Sequence, residues 1–307
     1  MQRYIARRVL VMLLVLGGVT VLVFLMRVLI PGDPVEVMTF GQFATPEVKA
    51  ELRREFGLDR PVLVQYQIFM RQLLQGNLGT SIRTRQPVSG EVAALYPRTL
   101  RLAVAAMAIA IALGVTLGVL AAVRRDTSVD TLAMIVATLG VSMPSFWLGL
   151  VLIRIFGVRL RLLPVMGSET WAHLVLPAVT LGLIFSAILA RLTRSSMLEV
   201  LGQEYIRTAR SKGLRGTAVV WRHALKNAII PVLTVAGLQF GFLLGGAFIV
   251  ETVFAYHGIG ELAIKSILFR DFPMIQGITL VVAATTVAVN LIVDLLYGLV
   301  NPQVRYE

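Results

Sequence analysis

The chain has 307 residues, of which 57% are hydrophobic and only 15% are charged, and its mean hydropathy is +0.80. A soluble domain carries about 25% charged residues, so this composition excludes a soluble protein and predicts an integral membrane protein. The net charge is +12, but the basic residues do not form a face interleaved with aromatic residues, which argues against nucleic-acid binding. The sequence contains no cysteine, which excludes thiol chemistry.

The first predicted element is a transmembrane helix at the N-terminus, which together with a basic leader occupies residues 1–30. The leader contains three arginines, and the apolar run that follows, Val9–Ile30, is about one bilayer long at 1.5 Å per residue. A signal peptide would have a shorter apolar core and a small-residue cleavage site. We therefore expect an uncleaved helix with its N-terminus in the cytoplasm.

Residues 31–98 form a polar region of mixed charge, which we expect on the periplasmic side. A favourable N-cap residue precedes Pro46, and Gly57 is a plausible stop, so a first helix is predicted between them. A second helix is predicted over Val62–Leu74, and a short helix lying on the membrane over Glu91–Tyr96. The region is therefore expected to be folded.

Five further apolar runs predict an all-α protein with six transmembrane helices. They lie near residues 99–123, 131–156, 173–190, 228–254 and 275–300. The last five spans form a core over residues 99–300, followed by a short tail, 301–307. Lys and Arg concentrate in the segments that this topology places in the cytoplasm, so both termini are expected there.

A basic stretch, Arg191–Pro231, separates the fourth span from the fifth. It contains Arg191, Arg194, Arg207, Arg210, Lys212, Arg215, Arg222 and Lys226 against the acids Glu199 and Glu204. Apolar residues recur at helical spacing on both sides of Gly213, which predicts a helix, a turn and a second helix. We predict that the loop over residues 191–227 lies in the cytoplasm and docks a partner.

Several residues in the spans are candidates for a translocation pathway or gate. Pro144 is expected to kink or break the third span, and a broken segment is tolerated in a membrane only when it is buried in protein or lines a cavity. Glycines four residues apart allow close helix packing, and pathway lining is the alternative role. The candidates are Ser142, Pro144, Gly241, Gly245 and Glu251.

Glu251 and Asp294 are acids within or beside the spans. A carboxylate at membrane depth is costly unless it is paired or hydrated, which makes a functional role the default hypothesis. Both residues lie near the ends of spans, however, and hydrogen bonding between helices is the alternative that we favour. A proton relay would require several such groups in register, and the sequence shows no such series.

The basic stretch closely resembles the cytoplasmic loop of binding-protein-dependent ABC importer permeases, in the branch that transports peptides. The triplet Arg207-Thr208-Ala209 stands where other branches have Glu-Ala-Ala, and Gly213 matches the fixed glycine of that motif. Further similar stretches extend along the chain. They are Ile30-Pro-Gly-Asp-Pro34, Gly76-Asn-Leu-Gly79, Ser142-Met-Pro144, His223-Ala-Leu-Lys-Asn227, Glu251-Thr-Val-Phe254 and Asn301-Pro302.

The resemblance implies a type I importer permease with a MetI-like core, an extra N-terminal helix and a periplasmic insertion. The chain is most similar to the first permease subunit of dipeptide, oligopeptide or glutathione importers, and nickel importers share the same sequence motifs. Such a chain, in the bacterial or archaeal inner membrane, works with a second permease, two ATP-binding subunits and a periplasmic or lipid-anchored solute-binding protein. The residues implied in ATPase coupling are Glu204, Tyr205, Arg207, Thr208, Ala209, Lys212 and Gly213.

The resemblance also implies that the chain is not itself an enzyme. Its sequence contains no Gly-x-x-x-x-Gly-Lys-Ser/Thr phosphate loop, so ATP and Mg²⁺ are expected on partner subunits and no cofactor is expected here. One position departs from the branch, because His257 stands where proline usually precedes the Gly258-Ile-Gly260 sequence, and a softer turn is expected. Properties of that loop in the family therefore apply less directly to this chain.

Two other classes of protein agree less well with the sequence. A membrane-embedded hydrolase would require a nucleophile beside a base, and no nucleophile motif surrounds the available serines or His173. An ATP-independent channel or carrier would not explain the basic docking loop and would require more charge within the membrane. For an importer permease, peptide, glutathione and nickel all remain open as solutes.

Overall fold

A computed structural model describes residues 2–29, 35–36, 45–55 and 58–300, and most of these residues are helical. Two of the helices contain π-helical segments, at Ile153–Arg159 and Val219–Ala224. The helices are α1 Gln2–Leu29, α2 Pro46–Glu55, α3 Val62–Leu74, α4 Val88–Val123, α5 Ser128–Ser142, α6 Ser145–Leu152 continuing to Arg159, α7 Trp171–Leu201, α8 Glu204–Ser211, α9 Gly216–Ala218 continuing through the π-helical segment to Leu225–Gly246, α10 Phe248–Val253, α11 Ile259–Leu268 and α12 Phe272–Val300.

Five of these helices, α1, α4, α7, α9 and α12, are long and apolar enough to cross a membrane. The pair α5 and α6 makes a sixth span if it is counted as one, although its helices meet at an angle of 105°. The break that we predicted at Pro144 is therefore confirmed. Proline lacks a backbone N–H and disfavours helical backbone in the residue before it, and Met143 is accordingly extended (ψ 128°).

The helices at the core do not end where the apolar runs end. α7 continues to Leu201, and α9 already begins at Gly216, so most of the basic stretch completes these two helices. Hydropathy marks the border of the apolar layer, whereas backbone hydrogen bonding continues beyond it with polar side chains. The prediction of a separate short helix over Glu91–Tyr96 is wrong. These residues belong to α4, which begins before the apolar run and continues through Pro97.

Glycines bring the central helices into close contact. A Cβ atom on Gly114 would lie 2.7 Å from the Cβ of Leu189, and one on Gly118 would lie 2.5 Å from the Cβ of Thr193. α4 and α7 can therefore approach along their lengths only because these positions lack side chains. Leu102, Ala106, Leu181 and Leu189, together with residues of α6, α9 and α10, form the main buried cluster around this pair.

α1 lies beside α12, and α3 packs against α1. The Nε2 atom of Gln276 in α12 donates to the carbonyl oxygen of Val23 at 2.9 Å. The rings of Phe24 and Tyr66 meet edge to face at 5.3 Å, and the Tyr66 hydroxyl lies 2.9 Å from Thr20 Oγ1. The helix predicted over Val62–Leu74 is thus confirmed and is docked on α1. The helix predicted from Pro46 is also confirmed, whereas its proposed stop at Gly57 lies outside the described residues.

Two ends of the bundle can be distinguished, and we name them by the short helices that lie there. At the α8 end, Val119 near the end of α4 packs with residues of α8. At the α11 end, Thr99 near the start of the apolar part of α4 contacts the first residue of α11. Arg8 and Asp294 form an ion pair of 3.1 Å between α1 and α12, so Asp294 joins two helices.

Candidate functional site

α8 is an amphipathic helix held on the bundle by two apolar side chains. Ile206 and Ala209 are 0% and 8% exposed, and they pack in a cluster with Val119, Met197 and Ala224 from α4, α7 and α9. Most other residues of α8 are exposed, as the helical period of three to four residues requires when one stripe is buried. The segment is therefore an ordered surface helix attached to three spans.

The exposed face of α8 carries most of the residues that we predicted for docking. Glu204, Tyr205, Arg207, Thr208, Lys212 and Gly213 are exposed, whereas Ala209 is buried against the bundle. Arg207 and Glu204 form an exposed ion pair of 2.9 Å. Asn227 Nδ2 donates to the Tyr205 hydroxyl at 2.7 Å and ties α8 to α9. Ala209 can thus support a docking surface but cannot itself form part of it in this conformation.

Gly213 makes the turn between α8 and α9. Its φ of +78° lies in the left-handed region, and its N–H donates to the carbonyl oxygen of Arg210 at 2.9 Å. Residues with side chains adopt this backbone conformation only at a cost. A Cβ atom at this position would meet no other atom within 4 Å, so the requirement for glycine comes from the backbone alone.

An ion pair between α5 and α7, in which Asp130 is buried and Arg194 is half-buried, was not predicted from the sequence. Both carboxylate oxygens of Asp130 in α5 accept hydrogen bonds of 2.6 Å from Arg194 in α7. Asp130 is 4% exposed and also accepts from the N–H of Asp126 at 3.1 Å. Arg194 belongs to the basic stretch, yet its guanidinium pairs with an acid of its own chain. An acid at the start of an apolar run was the only available signal.

Replacing Asp130 by asparagine is expected to lower the melting temperature of the purified permease by several degrees. The substitution leaves the Arg194 guanidinium beside a neutral amide in a mostly enclosed place, and removing one partner of such a pair costs more than the pair contributes. The exposed Glu204→Gln variant is the matched control, because exposed pairs contribute little. Equal melting temperatures for the two variants would contradict this prediction.

Glu251 lies at the α11 end and is completely buried. Its Oε1 atom accepts from Thr99 Oγ1 at 2.6 Å, and its Oε2 atom accepts from the N–H of Glu261 at 3.0 Å. Thr99 Oγ1 in turn accepts from the N–H of Ile259 at 2.9 Å. Glu251 and Thr99 therefore satisfy two of the free N–H groups at the start of α11 and join it to α4 and α10.

Glycine is required beside this carboxylate for steric reasons. A Cβ atom on Gly258 would lie 2.4 Å from Glu251 Oε1 and 2.4 Å from Thr99 Oγ1. A Cβ atom on Gly260 would lie 2.9 Å from Glu251 Oε2. The acid and the two glycines that stood out in the sequence are thus parts of one arrangement, which we call the Glu251 latch.

His257 precedes α11, and its side chain contacts the first turn of that helix. Its Nδ1 atom lies 2.8 Å from Glu261 Oε2, and Lys265 Nζ lies 2.7 Å from Glu261 Oε1. Burial opposes ionisation of Glu261, but the hydrogen bonds from Lys265 and His257 outweigh it, so the pKa of Glu261 is lowered. The residue that departs from the family pattern is therefore engaged with α11.

Asp271 joins the polar region before α4 to the start of α12. It is 1% exposed and accepts hydrogen bonds from Ser81 Oγ, from the N–H of Ile82 at 3.1 Å and from the N–H of Arg83 at 3.3 Å. Arg83 also lies over the ring of Phe269, 5.6 Å from its centroid. Part of the predicted periplasmic region is thus fixed to the α11 end, which the sequence did not indicate.

The other pathway candidates lie at separate places. Ser142 and Pro144 are exposed at the bend between α5 and α6. Gly241 packs against α12, where a Cβ atom would lie 2.6 Å from Thr286 Cγ2, and Gly245 is exposed. Their roles in a pathway stay predictions. No group of three or more His, Cys, Asp or Glu side chains in the described part of the chain is arranged to hold a metal ion.

Residues 114–306 match the family described as "Binding-protein-dependent transport system inner membrane component". The chain belongs to this family of permeases. Residues 1–103 match the companion N-terminal family of the same transport systems. The family assignment covers the Glu251 latch, α8 and the bent pair of helices, and it confirms the resemblance seen in the basic stretch.

Two curated relatives are similar along their whole length. The "Glutathione transport system permease protein GsiC" of Salmonella paratyphi A is 44% identical over 307 residues and covers all of both chains. The "Di/tripeptide transport system permease protein DppB" of Pseudomonas aeruginosa is 44% identical over 335 residues, again covering all of both chains. These identities place this permease in the peptide and glutathione branch of the family.

A solved structure confirms the predicted fold class. A structure of the MetNI methionine ABC transporter in inward-facing conformations aligns with a TM-score of 0.59 and 18% identity. The alignment covers 69% of this permease and 96% of the other chain. The MetI-like permease fold is therefore present, as part of a longer all-α membrane chain.

Proposed function

We propose that this permease is one membrane subunit of an ATP-driven importer that carries glutathione or short peptides into the cell. The observation that carries the proposal is the 44% identity to both a glutathione and a di/tripeptide permease, in alignments that cover all of each chain. The two relatives differ in the solute that their names state, and both solutes are small and contain peptide groups. The proposal therefore commits to that chemical class.

α8 is the proposed contact with an ATP-hydrolysing subunit, and the α8 end is accordingly proposed to face the cytoplasm. The helix presents charged and polar side chains outward and is anchored to α4, α7 and α9 by Ile206 and Ala209. A force applied to α8 is thus transmitted directly to three spans. Basic groups such as Arg207 and Lys212 suit a groove that contains acidic side chains.

The proposed assembly contains partners that supply what this chain lacks. A second permease subunit would complete the pathway, and two ATP-binding subunits would bind ATP and Mg²⁺. A solute-binding protein would deliver the solute at the α11 end, where Asp271 fixes the segment around Ile82 to α12. In this assembly the subunit couples and conducts, and the covalent chemistry of ATP hydrolysis takes place elsewhere.

Uptake into proteoliposomes tests the proposal. The permease would be reconstituted with its partner permease, ATPases and binding protein, and labelled dipeptide, tripeptide, glutathione and Ni²⁺ would be supplied separately. We expect uptake of a dipeptide, a tripeptide or glutathione that requires ATP and every subunit. Uptake of Ni²⁺ alone would overturn the solute class, and uptake without the ATPases would overturn the proposed coupling.

A further inference from the structure

Gln239 in α9 carries a buried amide that no described residue satisfies. The residue is 8% exposed, and both its Oε1 and Nε2 atoms are enclosed without a hydrogen-bond partner in the described part of the chain. Three residues of the main buried cluster lie on the same face of α9 as Gln239. They are Val232 and Ala236, seven and three residues before it, and Leu243, four residues after it. The amide therefore points into an apolar core.

An unpaired amide in such a place is costly, because it has lost its hydrogen bonds to water and has gained none in return. A bridging water would require two to four polar partners, and the neighbouring positions on this face of α9 are aliphatic. Gln276 shows the usual solution in the same bundle, since its amide is also buried but donates to Val23. Gln239 thus requires another explanation.

The unsatisfied groups lie on the helices that enter and leave α8. The other buried side-chain atom without a partner among the described residues is the hydroxyl of Thr193, on α7. α9 contacts α8 through Val219 and Ala224 in its first turns. Pro231 lies between that contact and Gln239, and proline removes one backbone hydrogen bond where a helix can bend. A displacement of α8 can therefore change how the Gln239 segment sits against α7.

Ser186 of α7 carries a buried hydroxyl and adjoins a contact between α7 and α9. Phe242, one turn beyond Gln239, contacts Phe185 of α7 with ring centroids 6.3 Å apart. The neighbouring Ser186 is 5% exposed, and its hydroxyl donates to the carbonyl oxygen of Leu183 at 2.7 Å. The lone pairs of its oxygen can still accept a hydrogen bond from a glutamine Nε2 atom.

We propose that Gln239 is a positioning residue of the transport cycle, unpaired in this conformation and hydrogen-bonded to Ser186 when movement of α8 displaces α9. This inference rests on the proposed function, because it takes the displacement from ATPase closure. An amide that is unsatisfied in one state and paired in the other favours the second state. The contribution of one such group corresponds to a shift of roughly tenfold in the ratio of the two states.

The test compares melting temperatures of the full complex in nanodiscs, nucleotide-free and trapped with ATP and vanadate. Gln239→Leu keeps the side-chain volume but removes the amide, so we expect it to stabilise one of the two states and to destabilise the other. ATP-driven uptake is expected to fall about tenfold, and Gln239→Asn is expected to restore part of it. The matched control, Gln276→Leu, removes a satisfied amide and is expected to lower the melting temperature in both states.

Ser186→Ala supplies the second arm. Ser186→Ala also removes the hydrogen bond to Leu183, so the loss that it causes in the other state is subtracted first. In the state that Gln239→Leu destabilises, the remaining losses of the two substitutions are expected to be non-additive, because both remove the same bond. Shifts of Gln239→Leu in the same direction in both states, full uptake, or additive losses would overturn the inference. A wild-type complex that does not respond to ATP and vanadate would instead overturn the proposed function and this inference together.

Discussion

Replacing Gly213 by proline is expected to reduce ATP-driven uptake on the order of 100-fold while the complex still assembles in the membrane. Proline fixes φ near −65°, whereas Gly213 has a φ of +78°, and proline also removes the N–H that donates to Arg210. A local cost of about 3 kcal/mol would make the conformation that presents α8 correspondingly rare. Labelled-peptide uptake and ATP hydrolysis, measured together in proteoliposomes, check the result.

Gly216 offers a matched control three residues away. It is the first residue of α9, where proline is favoured, and Arg215 before it has the extended backbone that precedes proline (φ −60°, ψ 139°). We expect Gly216→Pro to retain uptake. Gly213→Ala should be intermediate, because a Cβ atom fits there but the left-handed backbone costs about 1 kcal/mol. Unchanged uptake in Gly213→Pro would mean that the docking site lies elsewhere.

Disrupting the Glu251 latch is expected to destabilise the permease by about 3 kcal/mol. Glu251→Ala removes a buried carboxylate and leaves the N–H of Glu261 and the hydroxyl of Thr99 without their acceptor. Gly258→Ala should have a comparable effect, because its Cβ atom would overlap both Glu251 and Thr99, which are themselves fixed by hydrogen bonds. Thermal unfolding of the purified permease and the rate of proteolysis near α11 measure the effect of each of these two variants.

The control for this pair is Gly90→Ala. Gly90 lies in the first turn of α4, and a Cβ atom there would meet no other atom within 4 Å. Because alanine is a better helix former than glycine, this variant should be neutral or slightly more stable. If Gly258→Ala unfolds at the same temperature as Gly90→Ala, the latch does not fix α11. Protection of α11 from protease in Glu251→Ala would contradict the prediction equally.

The sequence alone determined the class of the protein, its spans and its family. These features are encoded locally. An apolar run long enough to cross the bilayer predicts a transmembrane helix, and a glycine between two helical patterns predicts a turn. The break at Pro144 and the helix over Val62–Leu74 were predictable for the same reason. The alternation of buried and exposed residues in α8 was also predictable, because a helix with one apolar stripe must bury it.

Only the tertiary structure decided how the polar side chains inside the bundle are paired. Asp130 and Arg194 are 64 positions apart, Thr99 and Glu251 are 152 apart, and Ser81 and Asp271 are 190 apart. Hydropathy marks the charged members of these pairs as costly within or beside a span, but it does not identify the residue that offsets the cost. Which side chains meet depends on how α4, α5, α7 and α12 pack, and the glycines along those helices set that distance.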